Sequence, residues 1–110
     1  MKDLEITDPF FEEKARLLQM LSLVRDPELE LNIVDLGLIY NIGIDKGKKM
    51  IEITMTLSTP ACPAGDYIKG GVELMAKEAF PGYAIIIDLT FEPEWSADKI
   101  SEAGRQELGW

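Results

Sequence analysis

Hydrophobic and polar positions change period several times along this chain. From Asp8, followed by Pro9 where a first helical residue would stand, apolar residues fall at Phe11, Ala15, Leu18, Leu21 and Val24, the spacing of an amphipathic helix. Pro27 disfavours helical geometry at Asp26, so this helix is predicted to end near Arg25. The segment "DPELELNIVDLG" holds neither period and reads as an irregular loop. A strand is predicted over about 38–44, with Leu38, Tyr40, Ile42 and Ile44 on one face, and "DKGKK" supplies the turn after it. Ile51, Ile53, Met55 and Leu57 then alternate with Glu52, Thr54 and Thr56, the clearest strand pattern in the chain. Ile68, Val72, Met75, Ala76 and Ala79 return to helical spacing, which Pro81 and Gly82 break. Gly70 and Gly71 inside that helix cost about 1 kcal/mol each relative to alanine, a cost that close packing would offset. Ile85, Ile87, Leu89 and Phe91 form a third strand, and Ser96 is placed to cap a last helix running to about Leu108.

The predicted order is α-β-β-α-β-α. A hairpin followed by a βαβ crossover gives a small mixed three-stranded sheet whose apolar face must be covered by helices, hence an α+β two-layer sandwich. Its 110 residues fit one domain spanning 1–110, with residues 1–7 expected to be flexible. Ile53, Leu57, Val72 and Ile87 are expected in the core.

Composition narrows what such a domain can do. Eleven Lys and Arg stand against twenty Asp and Glu, a net charge of −9, which repels phosphate backbones and argues against nucleic acid. The longest uninterrupted apolar run, Tyr83 to Ile87, is five residues, far short of the roughly 18 needed to span a bilayer. The acid-rich N-terminus resembles no secretory leader, and a single cysteine excludes an internal disulfide, so the chain reads as cytoplasmic. There is no histidine. Ser-His-Asp and Cys-His catalysis and histidine-liganded zinc are therefore excluded, and any chemistry must use cysteine, carboxylates, hydroxyls or lysine.

That cysteine, Cys62, lies between two prolines in "TLSTPACPAG". Pro63 suits the first position of a helix, which would make Cys62 its N-cap and set the thiol at the positive end of the helix dipole. A lone cysteine is also a small hydrophobe that fills a core. Against that reading, Pro60, Pro63 and Gly65 constrain the backbone, and Ser58 and Thr59 offer hydroxyls to a thiolate. A second constellation, "RDPELELN", sets Asp26 and Glu28 astride Pro27; taken alone it is a solvated loop in which Asp26 makes an Asx-type turn. Trp95 reads as an anchor for the last helix, or as part of a partner surface.

Three stretches, "VRDPELELNIVDLGLIYNIGI", "ITMTLSTPACP" and "EPEWSADKISEAGRQELG", resemble in order and spacing the signature blocks of the SufT/PaaD-like iron-sulfur cluster assembly family, formerly a domain of unknown function. The resemblance runs from about Leu18 to Gly109. It implies a maturation factor for iron-sulfur proteins, acting as carrier, transfer or scaffold protein through one thiol, which corresponds to Cys62. The family's acids and leucine correspond to Asp26, Glu28 and Leu29, and its hydroxyl positions to Ser58 and Thr59. Ser58 keeps the hydroxyl of the threonine common there, and Gly104 stands where alanine is common. The implied partners are the iron-sulfur assembly machinery and client apoproteins.

Iron-sulfur clusters usually take four cysteine ligands, so the resemblance implies a transient cluster or iron bound through Cys62 rather than a permanent cofactor. A homodimer would bring two thiolates, the remaining ligands coming from a partner or small thiols. An unpaired carboxylate about 5 Å from the sulfur would oppose the thiolate by about 3 kcal/mol at an effective dielectric of about 20, more than the roughly 0.3–1 kcal/mol from a helix end. A bound metal reverses that balance. Two other classes stay open at this point: a thiol-dependent enzyme or redox protein, and a non-catalytic interaction module.

Overall fold

A computed structural model describes residues 5–61 and 63–110. The first helix, α1, spans Phe11–Leu21 and turns Leu17 and Leu21 into the core. It begins two residues later than the proline pattern suggests. Asp8 makes a turn ahead of it, its Oδ1 accepting from Phe10 N at 2.8 Å and its Oδ2 pairing with Lys14 Nζ at 2.8 Å. It also ends early, at Leu21, because Arg25 and Asp26 use their backbones in β1 (Arg25–Asp26), which pairs antiparallel with β2 (Leu31–Asn32). The stretch expected as irregular loop therefore contains a two-stranded ribbon.

Three longer strands form the mixed sheet in the order β3-β4-β5. β3 (Ile39–Asp45) and β4 (Met50–Met55) are antiparallel, and β5 (Ala84–Leu89) lies parallel to β4 across the helical crossover. Ile51, Ile53 and Met55 are fully buried, as the alternation requires. In β3 the single-face expectation fails. Ile39 pairs with Met55 but Asn41 with Thr54, so Tyr40 is one residue too many and the ladder bulges there. An extra residue inverts the alternation: Ile39 and Ile42 both face the core, whereas the Tyr40 hydroxyl donates to the Pro93 carbonyl at 2.7 Å.

The crossover helix α2 (Gly65–Ala79) buries Ile68, Val72 and Ala76, packs on α1 and β5, and stops at Phe80 before Pro81 and Gly82. Its two internal glycines differ. A Cβ on Gly71 would stand 3.0 Å from Val24 Cγ1, so this glycine permits the close packing expected of both; a Cβ on Gly70 would meet nothing within 4 Å. Ile53, Leu57 and Val72 are buried as expected, while Ile87 is only half-buried because β5 is an edge strand covered from one side.

The last helix is broken in two. Ser96 opens only a 3-10 turn over Ala97–Lys99, without donating or accepting as a side-chain cap. Ile100 is then extended and buried, and α3 (Glu102–Leu108) starts afresh with the Ser101 hydroxyl accepting from Gly104 N at 3.0 Å. The α+β two-layer architecture stands, with the ribbon and this break added to it.

Candidate functional site

The acidic block forms a tight turn at the tip of the β1-β2 ribbon. With Asp26 opposite Leu31, the chain from Pro27 to Glu30 must reverse, and Glu30 N donates to the Asp26 carbonyl at 2.9 Å with Glu30 at φ +57°. Asp26 Oδ1 accepts from Glu28 N at 2.8 Å and Leu29 N at 3.3 Å, the Asx-type turn that the sequence suggests. Asp26 is nevertheless no solvated loop residue: its exposure is 0%. Its Oδ2 is buried and has no hydrogen-bond partner among the described residues. A buried polar atom without a partner costs about 1–3 kcal/mol, so a fold that keeps one has a reason for it outside folding, or a partner yet to arrive. The Arg25 guanidinium does not quench it, since Nη2 donates to the Glu30 carbonyl at 2.7 Å and faces Glu107 at 3.7 Å. Leu29 packs half-buried on the core, and Glu28 is exposed.

The hydroxyl block follows β4. Ser58 is half-buried, and exposed Thr59 uses Oγ1 to accept from Ala61 N at 3.3 Å, shaping the loop toward α2. Cys62 lies outside the described residues. The cap expected of it is taken by Ala64, because the first helical bond runs from Ile68 N to the Ala64 carbonyl at 2.9 Å, leaving Pro63 ahead of the helix. Gly65 can then tuck under Leu57, where a Cβ would stand 3.0 Å from Leu57 Cδ1.

Asp26, Glu28 and Leu29 thus share one turn, and Ser58 and Thr59 share the β4-α2 loop. Both segments are fastened to the same helix, Val24 on Gly71 and Leu57 on Gly65. Six residues of helix separate those two anchors, about 9 Å along the axis. Two concavities lie elsewhere. One of about 430 Å³ is lined by Glu13, Arg16, Lys46, Phe80 and Tyr83, and one of about 900 Å³ by Asp35, Tyr40, Lys99 and Arg105.

The third sequence block docks on the later part of the first. Asn32 Oδ1 accepts from Val34 N at 3.0 Å and Asp35 N at 2.9 Å, while its Nδ2 donates to Asp35 Oδ2 at 2.7 Å. Asp35 Oδ1 accepts from the Ser101 hydroxyl at 2.7 Å, and the Asp35 carbonyl from Ser101 N at 2.8 Å. Trp95 Nε1 donates to the Leu36 carbonyl at 2.7 Å, so it anchors the C-terminal segment. Asp35 is the hub that sequence reasoning missed, although Asn32 followed three residues later by an acid is an Asx-turn signal. Burial raises the Tyr40 hydroxyl above its ordinary range against the opposing hydrogen bond with Thr56, and Lys99 Nζ lies 5.4 Å from the centre of its ring.

Among the described residues no three Cys, Asp or Glu side chains gather as a metal site. The sequence holds one cysteine, one of the four thiolates that an iron-sulfur cluster usually takes.

The family model for iron-sulfur cluster assembly proteins matches residues 14–85. An Fe-S protein maturation auxiliary factor of Porphyromonas gingivalis is 39% identical over 105 residues, covering 96% of this chain and 99% of that one. The Fe-S protein maturation auxiliary factor YitW of Bacillus subtilis is 31% identical over 87% of this chain and 93% of its own. A crystal structure of a domain of unknown function, DUF59, from Bacillus anthracis superposes with a TM-score of 0.82 at 30% identity, over 89% of this chain and 92% of that one.

Proposed function

Because the chain belongs to the iron-sulfur cluster assembly protein family, we propose that it serves the maturation of iron-sulfur proteins, as a carrier, transfer or scaffold factor acting through Cys62. Asp26, Glu28, Leu29, Ser58 and Thr59 form the pocket around that thiol in this reading. The whole-length likeness to a maturation auxiliary factor is the observation that carries it. Two features of the chain support it further. Asp26 keeps a buried carboxylate oxygen without a described partner, an arrangement suited to receive a cation as cargo binds. A single thiol per chain favours passing a cluster or iron on over keeping it, since assembly machinery, client apoprotein or small thiols must supply the other ligands. The factor works in the cytoplasm, where its thiol stays reduced.

The test is anaerobic reconstitution with iron and sulfide, read by absorption spectra and native mass, followed by activation of a cluster-requiring apoenzyme. Wild-type protein is expected to bind cargo transiently and raise client activity, and Cys62→Ser to stay folded and lose both. A serine variant that unfolds, or that supports the client fully, would make the thiol a structural filler. Rapid alkylation and turnover by metal-free protein would favour a thiol enzyme instead.

A further inference from the structure

β5 is the last strand of the mixed sheet, and no strand stands beyond it among the described residues. Ala84 N donates to the Lys49 carbonyl at 2.8 Å and Thr90 N to the Met55 carbonyl at 2.9 Å, both toward β4. In a parallel pair only alternate residues of a strand bond the same neighbour. The even-numbered residues of β5 therefore bond β4, and the backbone N–H and C=O groups of Ile85, Ile87 and Leu89 point away from the sheet. After Thr90 the chain turns back toward β3, where the Tyr40 hydroxyl holds the Pro93 carbonyl. A row of unpaired backbone groups is a template for another strand, and exposed edges are commonly blunted by a bulge, a proline or a lysine. The β3 edge has the bulge at Tyr40. β5 has none of these devices: it reads AIIIDL, three isoleucines in succession.

Side chains on the two faces of this edge specify the strand that would join it. Ile85, Ile87 and Leu89 are half-buried against the core, on the strand that α2 packs on. A strand added about 4.8 Å away continues that row and needs an apolar side chain at every second position. On the other face Ile86 is 39% exposed, beside exposed Glu52, its partner in the β4-β5 register, and two residues from exposed Asp88. Neither acid makes an ion pair among the described residues. Apolar surface between two such acids suits lysine or arginine, whose stem lies on Ile86 while its charged head reaches the carboxylates.

We propose that β5 is a docking edge for an extended segment of a partner protein, which adds to the sheet as a fourth strand and carries apolar residues at alternate positions with basic residues between them. This deepens the maturation reading, on which it rests only for the partner being a client or an assembly factor. A second copy of the chain fits less well. Because α2 packs on β5, pairing β5 with β5 would set two helices over strands about 4.8 Å apart, where packed helices need about 8–10 Å. The second β5 would also bring an aspartate and no base to Glu52 and Asp88.

The test is residue-resolved amide exchange by NMR, with a short acetylated and amidated peptide of alternating lysine and valine as probe, in about 0.15 M salt. In the free protein Ile85, Ile87 and Leu89 should exchange faster than Ile86 and Asp88, whose N–H groups face β4. The peptide should slow those three amides at least about tenfold, whereas an isomer with its lysines and valines in separate blocks, or a peptide with glutamate in place of lysine, should not. Glu52→Lys combined with Asp88→Lys, both at exposed positions and checked for fold by circular dichroism, should weaken the lysine peptide at least about tenfold and admit the glutamate peptide. Protection of the three amides in the free protein overturns the proposal, and so does their unchanged exchange at about 1 mM peptide, equal protection by the block isomer, or indifference to the charge reversal. Protection that appears on raising the protein concentration alone would make a second copy the occupant and overturn it as well. The maturation reading is decided separately, by the client assay with Cys62→Ser, so failure of one is told apart from failure of the other.

Discussion

The two oxygens of Asp26 stand in different surroundings, and their contributions can be separated. Oδ1 holds the turn through Glu28 N and Leu29 N, while Oδ2 is buried without a described partner. Asp26→Asn keeps a carbonyl oxygen for the turn and should change stability by less than about 1 kcal/mol, because Oδ2 makes no hydrogen bond among the described residues. Asp26→Ala removes the acceptor for two backbone N–H groups and should cost about 1–3 kcal/mol. Urea unfolding of both, beside a cluster-transfer assay, checks the assignment: transfer should fall in both variants, stability chiefly in the second. An Asn variant as unstable as the Ala variant would make Asp26 a turn residue only. The Asx turn was legible in "RDPELELN", because its bonds are local. The burial of Asp26 was not, since it depends on where the ribbon docks, and no period in the sequence records that.

Elements here are bounded by contacts made far along the chain, which explains which of their limits could be read beforehand. β4 and α2 were legible because their burial follows one period over their whole length. The bulge at Tyr40 was not, because it is fixed by the pull of its hydroxyl toward Pro93, 53 residues away. The broken last helix was missed for the same reason: Asp35, 66 residues earlier, claims Ser101 and interrupts it. Gly37 is the counterpart of that junction, with φ +81° and the Lys99 carbonyl where a Cβ would go. Gly37→Ala therefore meets both an unfavourable backbone region and a backbone clash, and should cost about 2–4 kcal/mol in thermal unfolding. On α2 the two glycines should respond in opposite ways. Gly70→Ala adds helix propensity in open space and should stabilise the monomer by about 0.5–1 kcal/mol, whereas at Gly71 the gain is offset by overlap with Val24. Equal effects at both positions would contradict the packing of the ribbon on α2.

At the scale of the whole molecule, the net charge of −9 sets the background against which a few ion pairs act, and the N-terminal end of α1 is where they concentrate. The hydrogen bond from Lys14 holds the Asp8 carboxyl below its ordinary range, and that from Lys46 does the same for Glu13. The Glu13 carboxylate in turn raises Lys46 above its usual range, the two lying 2.5 Å apart and tying α1 to the β3-β4 turn. A carboxyl lowered in the folded state stabilises fully above its unfolded value, near 4, and that contribution disappears as pH falls through the lower folded value. Lys46 works in the opposite sense, its contribution being lost as pH rises through the elevated folded value. Tyr40, raised mainly by burial, also opposes alkali: ionising it costs more folded than unfolded, so stability declines once pH passes about 10. Amide exchange should therefore accelerate at residues 8–14 on acidification below about pH 4, before the sheet opens. Above about pH 10 the protection should fail first where Tyr40 holds the C-terminal segment at Pro93. Lys14→Met should abolish the early acid response at Asp8 without moving the alkaline one, and an acid response unchanged in that variant would show that the Asp8-Lys14 pair is not what couples α1 to pH.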